Sequence, residues 1–387
     1  MLHSDLDEQL RDLVDVTHRV ATEKIRPLID ETERSGTFSP EIRAILASAG
    51  FFGLVVPEEY GGGDSDVRHQ AVVLEQLART YPSACTYLTA HWLATKVIAL
   101  NATGPGEPDW VRPLLEDAAS GTRMGAIAAT EPDHGSDLAR ITTNARRDGD
   151  DWIINGTKRF ITNGGFADFY TVLARTGGEG SRGLSLIFVE ADRAGVSVGR
   201  WERKMGLHGS ATAEMIFDDV RVPADHVIGE VDRGFTYLMR GFDEGRVGVA
   251  AMCLGIAQGA LDAATAYATQ RRQFGKEIAS YQGVQFLVAD MSIGVQASRS
   301  VVYDAMHALV AGHPDASRLA AIAKTLASDT AMEATSNAVQ VHGGAGYVSD
   351  FPVEMLMRDA KIGQIYEGTN QILRMLIARS YFGDAAR

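Results

Sequence analysis

The chain is poor in cysteine: its 387 residues include only Cys85 and Cys253. Neither lies in a CxxC pair, and no His/Cys cluster has the spacing of a zinc site. The two thiols are far apart in sequence, and disulfides are rare in a reducing compartment. We therefore expect no metal site and no disulfide, and we predict that both cysteines are small buried residues.

Long apolar runs are also missing, which argues against a membrane-spanning helix. The acidic, amphipathic start lacks the basic and apolar profile of a signal peptide and the Arg-rich profile of a transit peptide. The formal net charge of −13 disfavours nonspecific nucleic-acid binding, which relies on basic side chains at phosphates. We expect a cytoplasmic protein with no nucleic-acid partner and no membrane insertion.

Several common catalytic signatures are absent as well. There is no GxxxxGK[ST] phosphate loop, and HGGAGYV (342–348) does not fit a strand–GxGxxG–helix unit. No GxSxG nucleophile elbow occurs. These absences narrow the enzyme classes without naming one.

The patterns that are present divide the chain into three segments. Residues 1–121 repeat apolar side chains at helical spacing, and Ser39 followed by Pro40 marks a helix start. Residues 122–235 carry short runs rich in Val, Ile, Phe and Tyr between turn residues, which predict a β-barrel or sandwich. Residues 236–387 contain three long apolar-striped runs, which predict a helical bundle. The predicted fold class is mainly α with a β insert.

Four polar stretches and one acid stand out as candidates for chemistry. The stretches are residues 128–137, 156–165, 270–286 and 340–347, and the acid is Glu367 in QIYEGTNQILRMLIARS. Taken singly, the glycines could serve turns, and Arg271 and Arg272 could form a solvated helix end. Glu367 could begin a helix, lie in a surface loop or act as a base.

The order of these stretches resembles that of the acyl-CoA dehydrogenase family. The resemblance is carried by TEPDHGSD, INGTKRFITNGG, KMGLHGSATAEMIFDDVRVP, RRQFGK and QVHGGAGYVSDFPVEMLMRDAKIGQIYEGTNQI, in family order across almost the whole chain. It implies an N-terminal helical domain, a middle β-domain and a C-terminal four-helix bundle. It also implies FAD as cofactor, a homotetramer, and an electron-transfer flavoprotein as electron acceptor.

The resemblance implies a set of FAD contacts. Hydroxyl and amide donors near the flavin ring favour its reduced form, and a guanidinium suits a diphosphate because its planar fork donates two hydrogen bonds. Phe160 replaces the family's common Trp, which keeps the ring stacking and loses the indole N–H. His134 is expected to be a loop residue. The matching residues are Ala129, Thr130, Gly135, Ser136, Phe160, Ile161 and Thr162 at the flavin, and Arg271, Phe274, Gln282, Gln340, Gly343, Gly344, Thr369 and Gln371 at the dinucleotide, partly from a neighbouring subunit.

The resemblance also assigns the catalytic base to Glu367. In the family this acid removes the α proton of an acyl thioester while the β hydrogen leaves as hydride to flavin, which gives the trans-2-enoyl product. Burial raises the pKa of such a carboxyl and strengthens it as a base. Gly368 leaves room for the thioester, and Thr369 is the better cap for the following helix.

Some relatives place the base on a bundle helix, at the position of Gly245 here. Glycine cannot act as a base, and Glu244 is one residue early, about 100° round a helix. We expect Glu244 to lie on the surface or at the rim of the substrate site. The implied substrate contacts are Ser136, Asp243, Arg246 and Gly368; for Arg246 a structural salt bridge is the alternative.

Two questions stay open at this point. Trp92 falls where the family's acyl chain runs, and it could shorten that channel or face a neighbouring domain. The same fold could act on an acyl group tethered to a carrier protein, or as an oxidase that uses oxygen. A non-catalytic thioester-binding or flavin-binding protein is the remaining alternative.

Overall fold

A computed structural model describes residues 6–383, so the first five residues of the acidic start lie outside the described part of the chain. The N-terminal third is helical, as predicted. Its helices are α1 (Glu8–Arg19), α2 (Ile29–Ser35), α3 (Pro40–Ser48), α4 (Val67–Ala78), α5 (Pro82–Asn101) and α6 (Val111–Ser120).

Local chemistry explains where these helices begin and which of them are buried. The Ser39 side chain accepts a hydrogen bond from the Ile42 N–H at 3.3 Å, and Pro40 is the first residue of α3, which confirms the predicted cap. Helix α5 is apolar nearly all round and buried along most of its length. A helix of this kind lies between layers of the protein.

The middle of the chain folds as a β-domain. Its strands are β1 (Gly125–Ala128), β2 (Asn144–Asp148), β3 (Asp151–Thr162), β4 (Phe169–Arg175), β5 (Leu184–Glu190), β6 (Val196–Trp201) and β7 (Thr212–Pro223). The sheet order is β1–β4–β2–β3–β7–β6, with β5 also paired to β4. The long antiparallel pair β3–β7 forms its centre, and its inward side chains make a separate apolar core.

A register shift between Lys158 and Ile161 interrupts the β3–β7 ladder. It places Phe160 at φ +58° with its ring 55% exposed, while Ile161 stays buried. A bulge of this kind re-aims a side chain at the end of a strand. Beneath it, buried Lys158 donates to Glu131 Oε1 at 3.1 Å and to Ala129 O at 2.9 Å, which ties β3 to the loop after β1.

The C-terminal part is again helical and confirms the predicted fold class. Its elements are α7 (Gly234–Gln270), the short hairpin β8 (Arg272–Gln273) and β9 (Lys276–Glu277), α8 (Gln282–Val310), α9 (Ala316–His342), α10 (Val353–Ala360) and α11 (Asn370–Phe382). Helix α7 is long and apolar enough to cross a membrane, but 78% of its most apolar window is buried inside the protein. It is the central core helix, packed on α4, α5 and α9.

Both cysteines are buried and free, as predicted. Within the described residues, no group of three or more His, Cys, Asp or Glu side chains is arranged to hold a metal ion. Helices of the N-terminal and C-terminal parts share one apolar core, in which α5 packs against α7.

Candidate active site

Glu367 lies in the tight loop between α10 and α11. Its φ is +52° and that of Gly368 is +92°, both in the left-handed region that a glutamate seldom adopts. The Thr369 side chain accepts a hydrogen bond from the Ile372 N–H at 3.3 Å and caps α11, as predicted. Glu367 is therefore not the helix cap, and its side chain is available for other contacts.

The Glu367 carboxylate sits in a poorly solvated place. The residue is half-buried, and its Oε2 atom is shielded from solvent without a hydrogen-bond partner among the described residues. Burial raises the pKa of Glu367 to about 7, against the lowering effect of the nearby cations of Arg246 and Lys324. A carboxyl with this pKa is a stronger base than an ordinary one and exchanges its proton near neutral pH.

Gly245 faces Glu367 from helix α7. A Cβ atom built on Gly245 would lie 3.1 Å from Glu367 Oε2 and 3.4 Å from its Cδ. The glycine therefore provides the space that the carboxylate occupies. Because the two positions adjoin, a side chain at residue 245 would compete with Glu367 for the same volume.

Lys324, on α9, holds the Glu367 loop through hydrogen bonds; it was not among the residues predicted from the sequence. It is fully buried, and its Nζ donates to Gly368 O at 2.7 Å and to Asn370 Oδ1 at 3.0 Å. Asn370 in turn donates to Ser328 Oγ and Asp329 Oδ1, both at 2.9 Å. Burial lowers the pKa of Lys324 to about 8. The available signal was a single lysine inside the apolar run LAAIAKTLAS.

A cavity of about 240 Å³ opens between α4, α5 and α7, with Gly245 in its wall. Trp92 lines it and is nearly fully buried, and its indole N–H donates to Phe51 O at 2.8 Å. Trp92 thus both narrows the cavity and fixes the neighbouring segment. Glu244 also lies in the wall of this cavity, and its side chain is paired with Lys96, which was not among the residues predicted from the sequence.

Arg246 and Asp243 are paired with each other. Arg246 is buried and donates to Asp243 Oδ1 at 2.6 Å, and Ser317 Oγ lies 3.0 Å from the same oxygen. The Nε of Arg246 has no hydrogen-bond partner among the described residues. The salt bridge named as the alternative is therefore present, and it leaves the Nε–H of the guanidinium without a partner among the described residues.

The residues predicted at the flavin ring gather at one end of the β-domain. Ala129 and Thr130 follow β1, Gly135 and Ser136 lie in the exposed loop after it, and Phe160, Ile161 and Thr162 end β3. The Arg159 N–H donates to Thr130 O at 2.8 Å, which joins the two segments. His134 is a loop residue, as predicted, and exchanges backbone hydrogen bonds with Glu131.

The residues predicted at the dinucleotide lie on the surface of the helical part. Arg271, Phe274 and Gln282 surround the β8–β9 hairpin, and the Phe274 ring is 94% exposed. Gln340 lies in the last turn of α9, and Gly343 and Gly344 follow that helix; a Cβ on either glycine would meet nothing within 4 Å. Thr369 and the exposed Gln371 adjoin the Glu367 loop.

Comparison with known families gives three matches in chain order. The N-terminal, middle and C-terminal domain models of acyl-CoA dehydrogenase match residues 7–117, 126–220 and 232–382. A curated relative, the probable acyl-CoA dehydrogenase fadE25 of Mycobacterium leprae, is 42% identical over 376 residues, covering 97% of this chain and 96% of the relative.

Solved structures agree with this result. The butyryl-CoA dehydrogenase of Megasphaera elsdenii superposes with a TM-score of 0.92 at 38% identity, over 98% of this chain and 99% of that one. A chain in the structure of the electron transferring flavoprotein of Acidaminococcus fermentans gives a TM-score of 0.94 at 40% identity, over 98% and 99% of the two chains.

Proposed function

Because the chain belongs to the acyl-CoA dehydrogenase family, we propose that Glu367 is the base that removes the α proton of its acyl-CoA substrate. The protein is an oxidoreductase that acts on acyl-CoA, and its cofactor is FAD. The observation that carries the assignment is the unpartnered Glu367 Oε2, held against Gly245 in the wall of the cavity.

The residues present fit FAD. The exposed Phe160 ring offers an aromatic face beside backbone and hydroxyl donors, and open space lies over Gly343 and Gly344. Arg271 is exposed and has no ion-pair partner in the described residues, whereas its neighbour Arg272 pairs with Glu277 at 2.5 Å. Arg271 is therefore free for a diphosphate. FAD, when bound, supplies the hydride acceptor.

Glu367 performs the proton step in this proposal. Near neutral pH part of the population carries the carboxylate, which takes the α proton and becomes the neutral acid. Both forms are accessible because the pKa of Glu367 is about 7. The low solvation that raises this pKa also makes the carboxylate a stronger base toward the α proton.

The loop around Glu367 positions the thioester. Gly368 has no side chain to obstruct an approaching carbonyl, and its own carbonyl is held by Lys324. The backbone N–H of Glu367 donates to no backbone carbonyl in the described chain. We assign it as a hydrogen-bond donor to the thioester oxygen, which would make the α proton more acidic.

We further propose that electrons leave to an electron-transfer flavoprotein and that four chains assemble. The similarity to the Acidaminococcus structure supports the acceptor. Assembly is supported by large aromatic side chains on the helical part that are mostly exposed in the single chain. They are Phe274, Phe286, Tyr347, Tyr381 and Phe382. The cytoplasmic location stays a prediction.

Anaerobic bleaching of the flavin tests the proposal. Purified holoenzyme should lose its yellow colour when mixed with some acyl-CoA. Glu367→Gln should retain FAD and lose bleaching, while the matched control Glu116→Gln, on the exposed side of α6, should bleach like wild type. If the Glu367→Gln enzyme still bleached at the wild-type rate, the assignment would be refuted.

A further inference from the structure

Three polar side chains from three helices meet in the wall of the acyl cavity; we call them the Lys96 cluster. Lys96 Nζ on α5 lies 2.5 Å from Glu244 Oε2 on α7. Gln70 Nε2 on α4 donates to the same oxygen at 3.3 Å. All three residues line the cavity together with apolar side chains such as Leu93 and Val97. Part of the cavity wall therefore carries a charged pair.

The Lys96 cluster has hydrogen-bonding capacity left over. An ammonium group has three donors, and Glu244 is the partner of Lys96 among the described residues. Both hydrogen bonds to Glu244 end on Oε2, so Oε1 keeps its acceptor capacity. The two side chains are only 20% and 29% exposed. A donor and an acceptor thus stand side by side, partly shielded from water.

The Lys96–Glu244 pair would bind some chemical groups at the end of an acyl chain better than others. An alkyl end would displace water from a charged pair and return no hydrogen bond, which is unfavourable. A carboxylate end can accept a hydrogen bond from Lys96, but it places a second negative charge beside Glu244 and offers that acid no donor. A hydroxyl can accept from Lys96 and donate to Glu244, so it satisfies both members without adding charge.

Gly245 links the cavity to the proposed base. Gly245 lies in its wall next to Glu244 in sequence and adjoins the Glu367 carboxylate. One acyl group could therefore contact Glu367 with its α carbon and the Lys96 cluster with its far end. A cavity of about 240 Å³ suits a short or medium chain.

We propose that the cavity selects acyl-CoA substrates whose far end carries a neutral hydroxyl group, bound between Lys96 and Glu244. This inference rests on the proposed function, since it assigns the substrate class of the same site. It makes Lys96 and Glu244 specificity-determining residues. Arg240, the other cation in the wall, is exposed and therefore solvated.

Matched substrates test the proposal on the holoenzyme. For each chain length from four to eight carbons, kcat/KM is measured for the ω-hydroxyacyl-CoA, the plain acyl-CoA and the dicarboxylyl-CoA. At the best length, wild type should prefer the hydroxyacyl form over both others by at least tenfold. The double variant Lys96→Met/Glu244→Leu should reverse the order of the hydroxyacyl and plain forms.

A control pair separates a cavity effect from a stability effect. Arg79 and Asp262 form a similar ion pair at 2.5 Å, and neither lines the cavity. Arg79→Met/Asp262→Leu should leave the substrate order unchanged. An equal or greater kcat/KM for the plain acyl form in wild type, or an unaltered order in the Lys96/Glu244 variant, would overturn the proposal.

A binding measurement keeps this inference distinct from the dehydrogenase mechanism. Calorimetry on Glu367→Gln holoenzyme gives Kd for the same three thioesters without turnover. Tenfold tighter binding of the hydroxyacyl form would support the Lys96 cluster as its binding site. If none of these thioesters then bleached the wild-type flavin, only the proposed function would be rejected. Bleaching with no difference in Kd would reject the Lys96 cluster alone.

Discussion

Glu367 should make the enzyme less stable at high pH, and removing its charge should reverse that effect. Raising its pKa from 4.5 to about 7 disfavours the ionised form in the folded enzyme. At about 1.4 kcal/mol per pKa unit, the ionised carboxylate costs the folded state roughly 3 kcal/mol. The side chain is half-buried, so partial contact with solvent makes this an upper value.

The sign follows from proton binding. Between pH 4.5 and about pH 7 the folded state holds a proton on Glu367 that the unfolded chain has released. The stability that comes from this proton is fully present below pH 4.5 and is lost as the pH rises through 7. Glutamine is neutral throughout, so the stability of Glu367→Gln relative to wild type should increase as the pH rises.

Thermal unfolding of the two holoenzymes at pH 5 and pH 8 measures this effect. The melting temperature of Glu367→Gln relative to wild type should be higher at pH 8 than at pH 5. Other titrating groups are common to both proteins and cancel in the comparison. In the same samples, kcat/KM of wild type should rise with pH around 7. A pH-independent difference in melting temperature, or an activity limb near pH 4.5, would refute the reasoning.

Two further predictions follow from the same contacts. Lys324→Met removes a cation that lowers the pKa of Glu367, so the acid limb of the kcat/KM profile should move to higher pH. Lys324→Arg keeps the charge and should leave the limb near its wild-type position. An unmoved limb in the Met variant would contradict an electrostatic role for Lys324. Phe274→Asp replaces a ring that is 94% exposed in the single chain by a charge. If four chains share the cofactor sites, this variant should have a lower FAD content and a lower sedimentation coefficient than wild type. A variant that is still an FAD-loaded tetramer would contradict the shared site.

Features that depend on neighbours in sequence were predictable. Helical and strand periodicities gave the three-part order, and Thr369 was identified as the cap of α11 because capping needs only three residues of context. The buried state of Cys85 and Cys253 followed from residue type and was confirmed. The catalytic role of Glu367 stays a proposal, although its loop position was anticipated.

Features that depend on long-range contact were not predictable. The apolar run around Lys324 marks that lysine as unusual, but local sequence does not show that it holds the Gly368 carbonyl or that Lys96 pairs with Glu244 on another helix. The partners of the two lysines lie 44 and 148 positions away in the sequence. The parallel pairing of β1 with β4 is likewise set by packing and not by local propensity.

The close approach of Gly245 to Glu367 constrains how this catalytic site could have evolved. A Cβ at position 245 would lie 3.1 Å from Glu367 Oε2, so an acid there would crowd the carboxyl group of Glu367. If Glu367 is the base, an acid at position 245 could replace it more readily than it could stand beside it. A move of the base between the two positions would then require both substitutions together, since either one alone leaves two crowded carboxyl groups or none.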